Sequence, residues 1–246
     1  MRRIASPKAP KLKKSQIIST VISPAVQLWL RSQVEQVEAL QVRIASSDGQ
    51  ILSGQISTVS IAAIRAVYQG LHLSQIQLEG TDIRFNLGQV LKGKPLRLLA
   101  PIPVVGQVLL SESDLQASLQ APLLSNALNE LLNTFLQSKG IANPANDLKD
   151  RQIDWQQINF DTSQLILSGI LTDVTVGTTP IAIRAGLVME TPQVLQLNPL
   201  QIQIHPNHPA ISLDGFRVDL GPEVDIQELT LTPEQLTCRG CLRVMP

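Results

Sequence analysis

The stretch from Ser111 to Gly140, SESDLQASLQAPLLSNALNELLNTFLQSKG, is the most strongly patterned part of the chain, and whatever the rest folds into has to cover it. Leu115 and Leu119 stand one helical turn apart, and Leu124, Leu128, Leu131, Leu132, Phe135 and Leu136 continue at three- and four-residue steps, so one face is apolar from end to end. Ser111 with Asp114 three residues on has the form of a capping box with Asp in place of Glu, and Lys139 with Gly140 marks the stop. Pro122 interrupts the pattern because its ring removes an amide donor and collides with the preceding turn; the spacing predicts two helices, or one with a kink. From Pro122 to Ser138 the stripe covers over half the circumference, wider than the roughly 100° a surface helix needs. Such a helix requires an apolar surface wrapped around it.

That surface is expected to be a sheet. Leu40 to Ala45 and Gln50 to Ile61 flank Ser46-Ser47-Asp48-Gly49, and Asp-Gly between apolar runs predicts a tight hairpin turn with positive φ. Ile64–Tyr68, Leu71–Leu78 and Thr81–Leu87 read as a meander punctuated by Gly70 and Gly80. Leu71/Leu73 and Ile76/Leu78 lie on opposite phases, which requires a bulge or burial of both faces near Ser74. Val104–Leu110 then feeds the helical stretch. Beyond a polar, proline-broken linker at 141–152, strands are expected at Ile153–Phe160, Gln164–Leu171, Pro180–Glu190, Val194–Ile204, Phe216–Leu220, Gln227–Thr232 and Gln235–Val244. The second half has no comparable helix, so both sheets are expected to share the helices of the first. A short echo, Leu52-Ser53-Gly54 with Ile64-Arg65-Ala66 against Leu167-Ser168-Gly169 with Ile183-Arg184-Ala185, is either a trace of duplication or chance in a Leu/Ile-rich chain.

Ahead of the strands, Ser15 to Leu40 predicts a second helix with Ile18, Ile22, Val26, Trp29, Leu30, Val34 and Val37 on one face, bent at Pro24. It either packs on the central helix or lies in a membrane interface. The first fourteen residues hold six basic residues and no acid, leaving 14 basic against 20 acidic residues in the body. A basic arm on an acidic body argues against a nucleic-acid surface on the fold itself. The arm is a solvated tail or a tether to anionic lipid. Ser19, Thr20, Ser23 and Gln27 break the apolar run that follows, which makes it a poor secretory signal, and no run reaches the 18 residues of a membrane span. The expectation is a cytoplasmic protein, peripheral to a membrane (thylakoid or plasma membrane) if it meets one. Residues 15–246 are expected to form a single domain, with 15–140 and 151–246 as its pseudo-halves.

Residues 88–103 break the strand rhythm with two glycines and three prolines, and interleave Leu91, Leu96, Leu98, Leu99 and Ile102 with Lys92, Lys94 and Arg97. One reading is an edge strand whose lysines discourage aggregation. The other is a membrane-docking edge built from Lys92, Lys94, Leu96, Arg97 and Leu98. Candidates for chemistry are few. Cys238 and Cys241 have CxxC spacing, but in an extended strand their Cα atoms stand about 10 Å apart, beyond disulfide reach unless a turn forms at Gly240. His205 and His208 would be needed to complete a zinc set, and His72 sits alone in a strand. No nucleophile elbow, zinc-protease motif, phosphate loop or calcium loop occurs. No catalytic residue, metal or cofactor is expected.

Several blocks together resemble a known family: Leu28-Trp29-Leu30-Arg31-Ser32-Gln33, VYQGLHLSQ from Val67 to Gln75, NLGQVLKGKPLRLL from Asn86 to Leu99, SDLQASLQAPLL from Ser113 to Leu124, and LDGFRVDLGPEVDIQELTL from Leu213 to Leu231 with Cys238-Arg239-Gly240. The chain resembles the LmeA-like phospholipid-binding family, in its photosynthetic-bacterial branch, over nearly everything after Ser15. The resemblance implies an α+β fold like the tubular lipid-binding proteins, with a strongly curved antiparallel sheet around one long helix, an N-terminal helix, and a groove for acyl chains. It implies a non-enzymatic protein that binds, or binds and transfers, phospholipid or glycolipid. No lipid-contact residue carries over by motif, so the groove is expected along the apolar stripes, at Leu28, Trp29, Leu124, Leu128, Leu131, Leu132 and Phe135. The rival class is a structural or assembly protein with a filled core, acting through protein contacts.

Overall fold

Alternating apolar residues on long, glycine-punctuated strands close into two antiparallel sheets, each carrying its own helices on one face. The computed structural model describes residues 23–138, 151–173, 177–204 and 209–246. The first sheet runs β1 (Gln36–Ala45), β2 (Gln55–Tyr68), β3 (Leu71–Arg84), β4 (Ile102–Ser111), β12 (Gln235–Val244) and β11 (Val224–Leu231). The second runs β10 (Phe216–Asp219), β8 (Val194–Ile204), β7 (Gly177–Thr191), β6 (Gln164–Asp173) and β5 (Arg151–Phe160), with β9 (Ile211–Leu213) also on β8. The helices are α1 (Ser23–Gln33), α2 (Asp48–Leu52), α3 (Leu87–Val90), α4 (Glu112–Ser118) and α5 (Pro122–Ser138). Each sheet grows from a helix followed by a four-stranded meander: α1 with β1–β4, α5 with β5–β8. The halves are not closed, because the last two strands return to complete the first sheet, Gly240 pairing with Gly106.

Several expectations need correction. The one long helix implied by the resemblance is two, α4 and α5, in keeping with the break read at Pro122, which takes the first position of the second, where its missing N–H has no partner to lose. The capping box is present as read: the Asp114 N–H donates to Ser111 Oγ at 3.1 Å, and the Ser111 N–H to Asp114 Oδ2 at 2.8 Å. The Asp48-Gly49 hairpin turn is instead the helical turn α2, because Ser47 and Gln50 form a second capping box that captures these residues first. The positive-φ hairpin lies one connection later, at Gln69 (φ 49°) and Gly70 (φ 77°) between β2 and β3. A Cβ on Gly70 would stand 2.7 Å from that of Ala121, so glycine also lets the hairpin meet the end of α4. The predicted helix to Leu40 stops at Gln33, and Val34 and Val37 lie beyond it; its first part, Ile18 and Ile22, lies outside the described residues.

Gly80 does not divide β3, whose register to β2 holds from Gln55↔Arg84 to Tyr68↔Leu71; near Ser74 it is burial of both faces, without a bulge, that reconciles the opposite phases. The echoed Leu-Ser-Gly triplets are unlike in structure, one ending α2 and the other inside β6. The repeat lies in the topology and not in those residues.

Of the described helices, α4 alone is shared between the sheets; the others each pack against one. One core holds α4 and α5 against the second sheet, through Leu119 (1% exposed), Leu132 (2%), Phe135 (0%) and Trp155 (1%). Phe135 meets Phe216 edge to face at 5.9 Å, and the Trp155 indole N–H donates to Asn129. The other core holds α1, α2 and α3 against the first sheet, through Val26, Ile51, Ile56 and Phe85.

Between them α4 acts as a polar tie. Glu112, Gln116 and Gln120 recur every four residues and meet β5, the edge of the second sheet. Glu112 accepts from the Phe160 N–H at 2.7 Å, Gln116 accepts from the Ile158 N–H at 2.9 Å and donates to the Gln156 carbonyl at 2.8 Å, and Gln120 donates to the Trp155 carbonyl. A helical turn and two residues of strand advance by similar distances, roughly 6 Å, so one helix face satisfies the open ladder of an edge strand. On its other side α4 takes the first sheet: the His72 N–H donates to the fully buried Ser118 hydroxyl at 2.8 Å, and the Ser74 hydroxyl donates to Asp114.

Candidate functional site

A partly open apolar pocket lies between α1 and the inner face of the first sheet. It measures about 180 Å³. Val26, Trp29 and Leu30 of α1 form one wall, and the floor comes from the inward positions of β2, β3 and β4, among them Val59 and Val104. Gly80 stands in the same row, and where its neighbours project side chains it projects none. A Cβ there would meet Ile83, Ile102 and Val104 at 3.6–3.7 Å, ordinary contact distances. The rim is closed by Leu96 and Leu98 from the segment after α3, and by Leu242 and Val244 of β12.

That segment is pinned by one buried polar side chain. Asn86 donates from Nδ2 to the Pro95 carbonyl at 3.0 Å and accepts from the Arg97 N–H at 2.7 Å, while Leu98 bridges to Phe85. Asn86 holds Leu96 in the wall, and its role was not visible beforehand; an asparagine at the end of an apolar strand is the only signal it leaves.

The expected groove residues separate. Trp29 lines the cavity, whereas Leu28, on the same turn, is 72% exposed on the outer side of α1. Leu132 and Phe135 are buried in the second core, with Leu124, Leu128 and Leu131 packed half-buried against it. The stripe of α5 is therefore filled by protein, and the open apolar volume belongs to the shorter helix. Of the expected docking residues, Lys92, Lys94 and Arg97 are exposed, while Leu96 (7% exposed) and the half-buried Leu98 face inward. The segment is not an edge strand; it is a pinned turn whose leucines are divided between cavity and solvent.

Several clefts are roomier, and two of them gather three or more ionisable side chains. One, of about 440 Å³, lies on the outer face of the first sheet by Arg43, Glu79 and Arg239. The other, of about 370 Å³, includes Glu38, Arg65, His72 and Asp114, with Arg65 and Glu38 paired at its exposed rim. Burial raises the Asp114 carboxyl, but the Ser74 hydroxyl, the Ser111 N–H and hydroxyl and the charge of His72 outweigh it and hold the group below its ordinary value. The Ser74 hydroxyl points its proton at this carboxylate, so Ser74, His72 and Asp114 do not make a nucleophile–base relay. Cys238 and Cys241 lie in the unbroken strand β12 as free thiols, and burial pushes the Cys238 thiol up, which keeps it in the unreactive form. Among the described residues no three His, Cys, Asp or Glu side chains could hold a metal ion; His205 and His208 lie outside them.

A sheet that keeps an all-apolar space under an amphipathic helix suits a ligand made of hydrocarbon. The model for LmeA-like phospholipid-binding proteins matches residues 14–241, and the chain belongs to that family. This is a lipid-binding family and not an enzyme class. No curated protein and no solved structure matches the chain. No helix among the described residues is long and apolar enough to cross a membrane.

Proposed function

We propose that the protein holds an acyl chain of a phospholipid in the space between α1 and the first sheet, in a tubular lipid-binding arrangement that leaves the headgroup outside. The observation that carries this reading is the lining: every side chain around the cavity is apolar. Such a site gains about 0.8 kcal/mol for each methylene it takes from water and imposes no headgroup chemistry. At about 180 Å³ the space is close in size to the roughly 150 Å³ cavity that accepts one benzene, so it takes the end of a single chain. Admitting more requires α1, which rests on the sheet through Val26, Trp29 and Leu30, to move away from Val59 and Gly80. Handing the lipid from one membrane to another would use the same movement.

Native mass spectrometry of the full-length protein, followed by organic extraction, tests the reading. A discrete mass increment that resolves to a diacyl lipid is expected, and Gly80→Val, whose branched side chain grows into the space from a Cβ that fits at ordinary distances, should carry much less of it. A bare polypeptide mass after incubation with phospholipid vesicles would overturn the proposal and favour a protein that acts through protein contacts.

A further inference from the structure

We infer that the segment from Leu91 to Leu99 is a docking surface for an anionic lipid bilayer, set on the outer side of the cavity wall. The chain carries four cations and no acid between Asp82 and Glu112: Arg84, Lys92, Lys94 and Arg97. All four are exposed, and none is in an ion pair among the described residues. In a body with six more acids than bases outside its first fourteen residues, an acid-free run of cations is a local inversion of charge. Leu91 (59% exposed) and Leu99 (62%) stand among those cations, and Met245, one residue past the Val244 that pairs with Ile102, is 56% exposed. Cations that meet headgroups beside leucines that enter the interface are what an anionic bilayer binds. A protein partner would be expected to answer such cations with carboxylates; the exposed leucines favour a surface that offers hydrocarbon directly behind its charge.

The segment is also built to keep its shape. Besides the two Asn86 bonds, the Leu99 N–H donates to the Arg84 carbonyl at 2.9 Å, the Lys94 N–H to the Gln89 carbonyl at 3.0 Å, and the Asn86 N–H to the Arg97 carbonyl at 3.2 Å. The cations are therefore presented without a large ordering cost on binding. Because Leu96 and Leu98 are the inward residues of this turn, a bilayer that meets its outward residues lies directly against the cavity wall. The inference concerns this surface and does not require the cavity to be occupied.

The test is co-sedimentation of the full-length protein with vesicles of phosphatidylcholine containing about a quarter phosphatidylglycerol, against vesicles of phosphatidylcholine alone. Wild type is expected to pellet with the anionic vesicles only, less so as salt is raised. Replacing Lys92, Lys94 and Arg97 together by Gln should weaken the partition roughly 100-fold, from about 1 kcal/mol per cation. Leu91→Ser with Leu99→Ser should weaken it further at high salt, where the apolar contribution remains. Wild-type partition by the triple variant would overturn the proposal and move the attraction to the basic first fourteen residues; equal binding to neutral vesicles, or none to either, would overturn it as well. Uptake of a pyrene-labelled phosphatidylcholine from detergent, measured on the same variants, is expected to stay at the wild-type level. A protein that fills its cavity but no longer pellets thus separates docking from lipid binding.

Discussion

The two helix-on-sheet contacts are alike in plan and opposite in filling. Against the second sheet, α5 buries Leu132 and Phe135 completely and α4 adds Leu119, while Trp155 and Phe216 close the remaining space. Against the first sheet, Val26 is the buried residue among the described side chains of α1, and about 180 Å³ is left above a glycine. Interiors are normally packed as densely as organic crystals, so an apolar void of this size under one helix and not the other marks where the fold gives up stability. The longer and more apolar helix serves as the rigid frame. The shorter helix, with its mixed face, covers the apolar space.

The sharpest way to break this contrast is to truncate one residue on each side. Phe135→Ala should cost about 3–5 kcal/mol in denaturant unfolding, since a 0%-exposed ring leaves a cavity in a filled core. Trp29→Ala, beside space that is already empty, should cost distinctly less while lowering retained lipid; equal costs would mean that the two cores are equally tight. Leu132→Asp belongs with Phe135→Ala, because it places a charge in the packed core and reports on the fold before it reports on any ligand.

The tie between the halves gives the next effect in size. Gln116→Ala strips the Ile158 N–H and the Gln156 carbonyl of their partners and should lower stability by about 1–2 kcal/mol, with faster amide exchange at Ile158 as the local readout. A smaller effect belongs to pH. The Asp114 carboxyl is held below its ordinary 3.8, so the stability it contributes is present above about pH 4 and is lost as pH falls through its folded value. Asp114→Asn should therefore be less stable than wild type at neutral pH, and the difference should shrink on acidification below pH 4. The smallest change is expected at Gly80→Ala, where a methyl fits at ordinary distances; stability should hold or rise by up to about 1 kcal/mol.

What was legible in the residues was local. Val194–Ile204 and Gln235–Val244 are strands over the spans read from alternation alone, and Ser111, Asp114 and Pro122 do at their helix ends what their chemistry requires. Asp48-Gly49 misled because two local signals competed, and Ser47 with Gln50 formed the stronger one through reciprocal bonds to backbone and side chain. The sequence singled out Trp29 and the α5 leucines alike, because an apolar stripe looks the same whether protein or ligand covers it; the structure puts Trp29 beside an apolar space and Leu132 in a packed core.

By itself the sequence determined which stretches are strand and which helix over most of their length, several of their ends, that the interior is aliphatic, and which family the chain belongs to. These follow from capping, from side-chain periods and from residue blocks that need no distant partner. Only the tertiary structure decided that β12 returns to β4, that α4 and α5 cover the second sheet while α1 is left on the first, and that the unfilled volume therefore lies under Trp29 and not under Leu132. The physical reason is that burial of apolar surface is non-directional. It requires each stripe to be covered, and only the path of the chain between sheets settles what covers it.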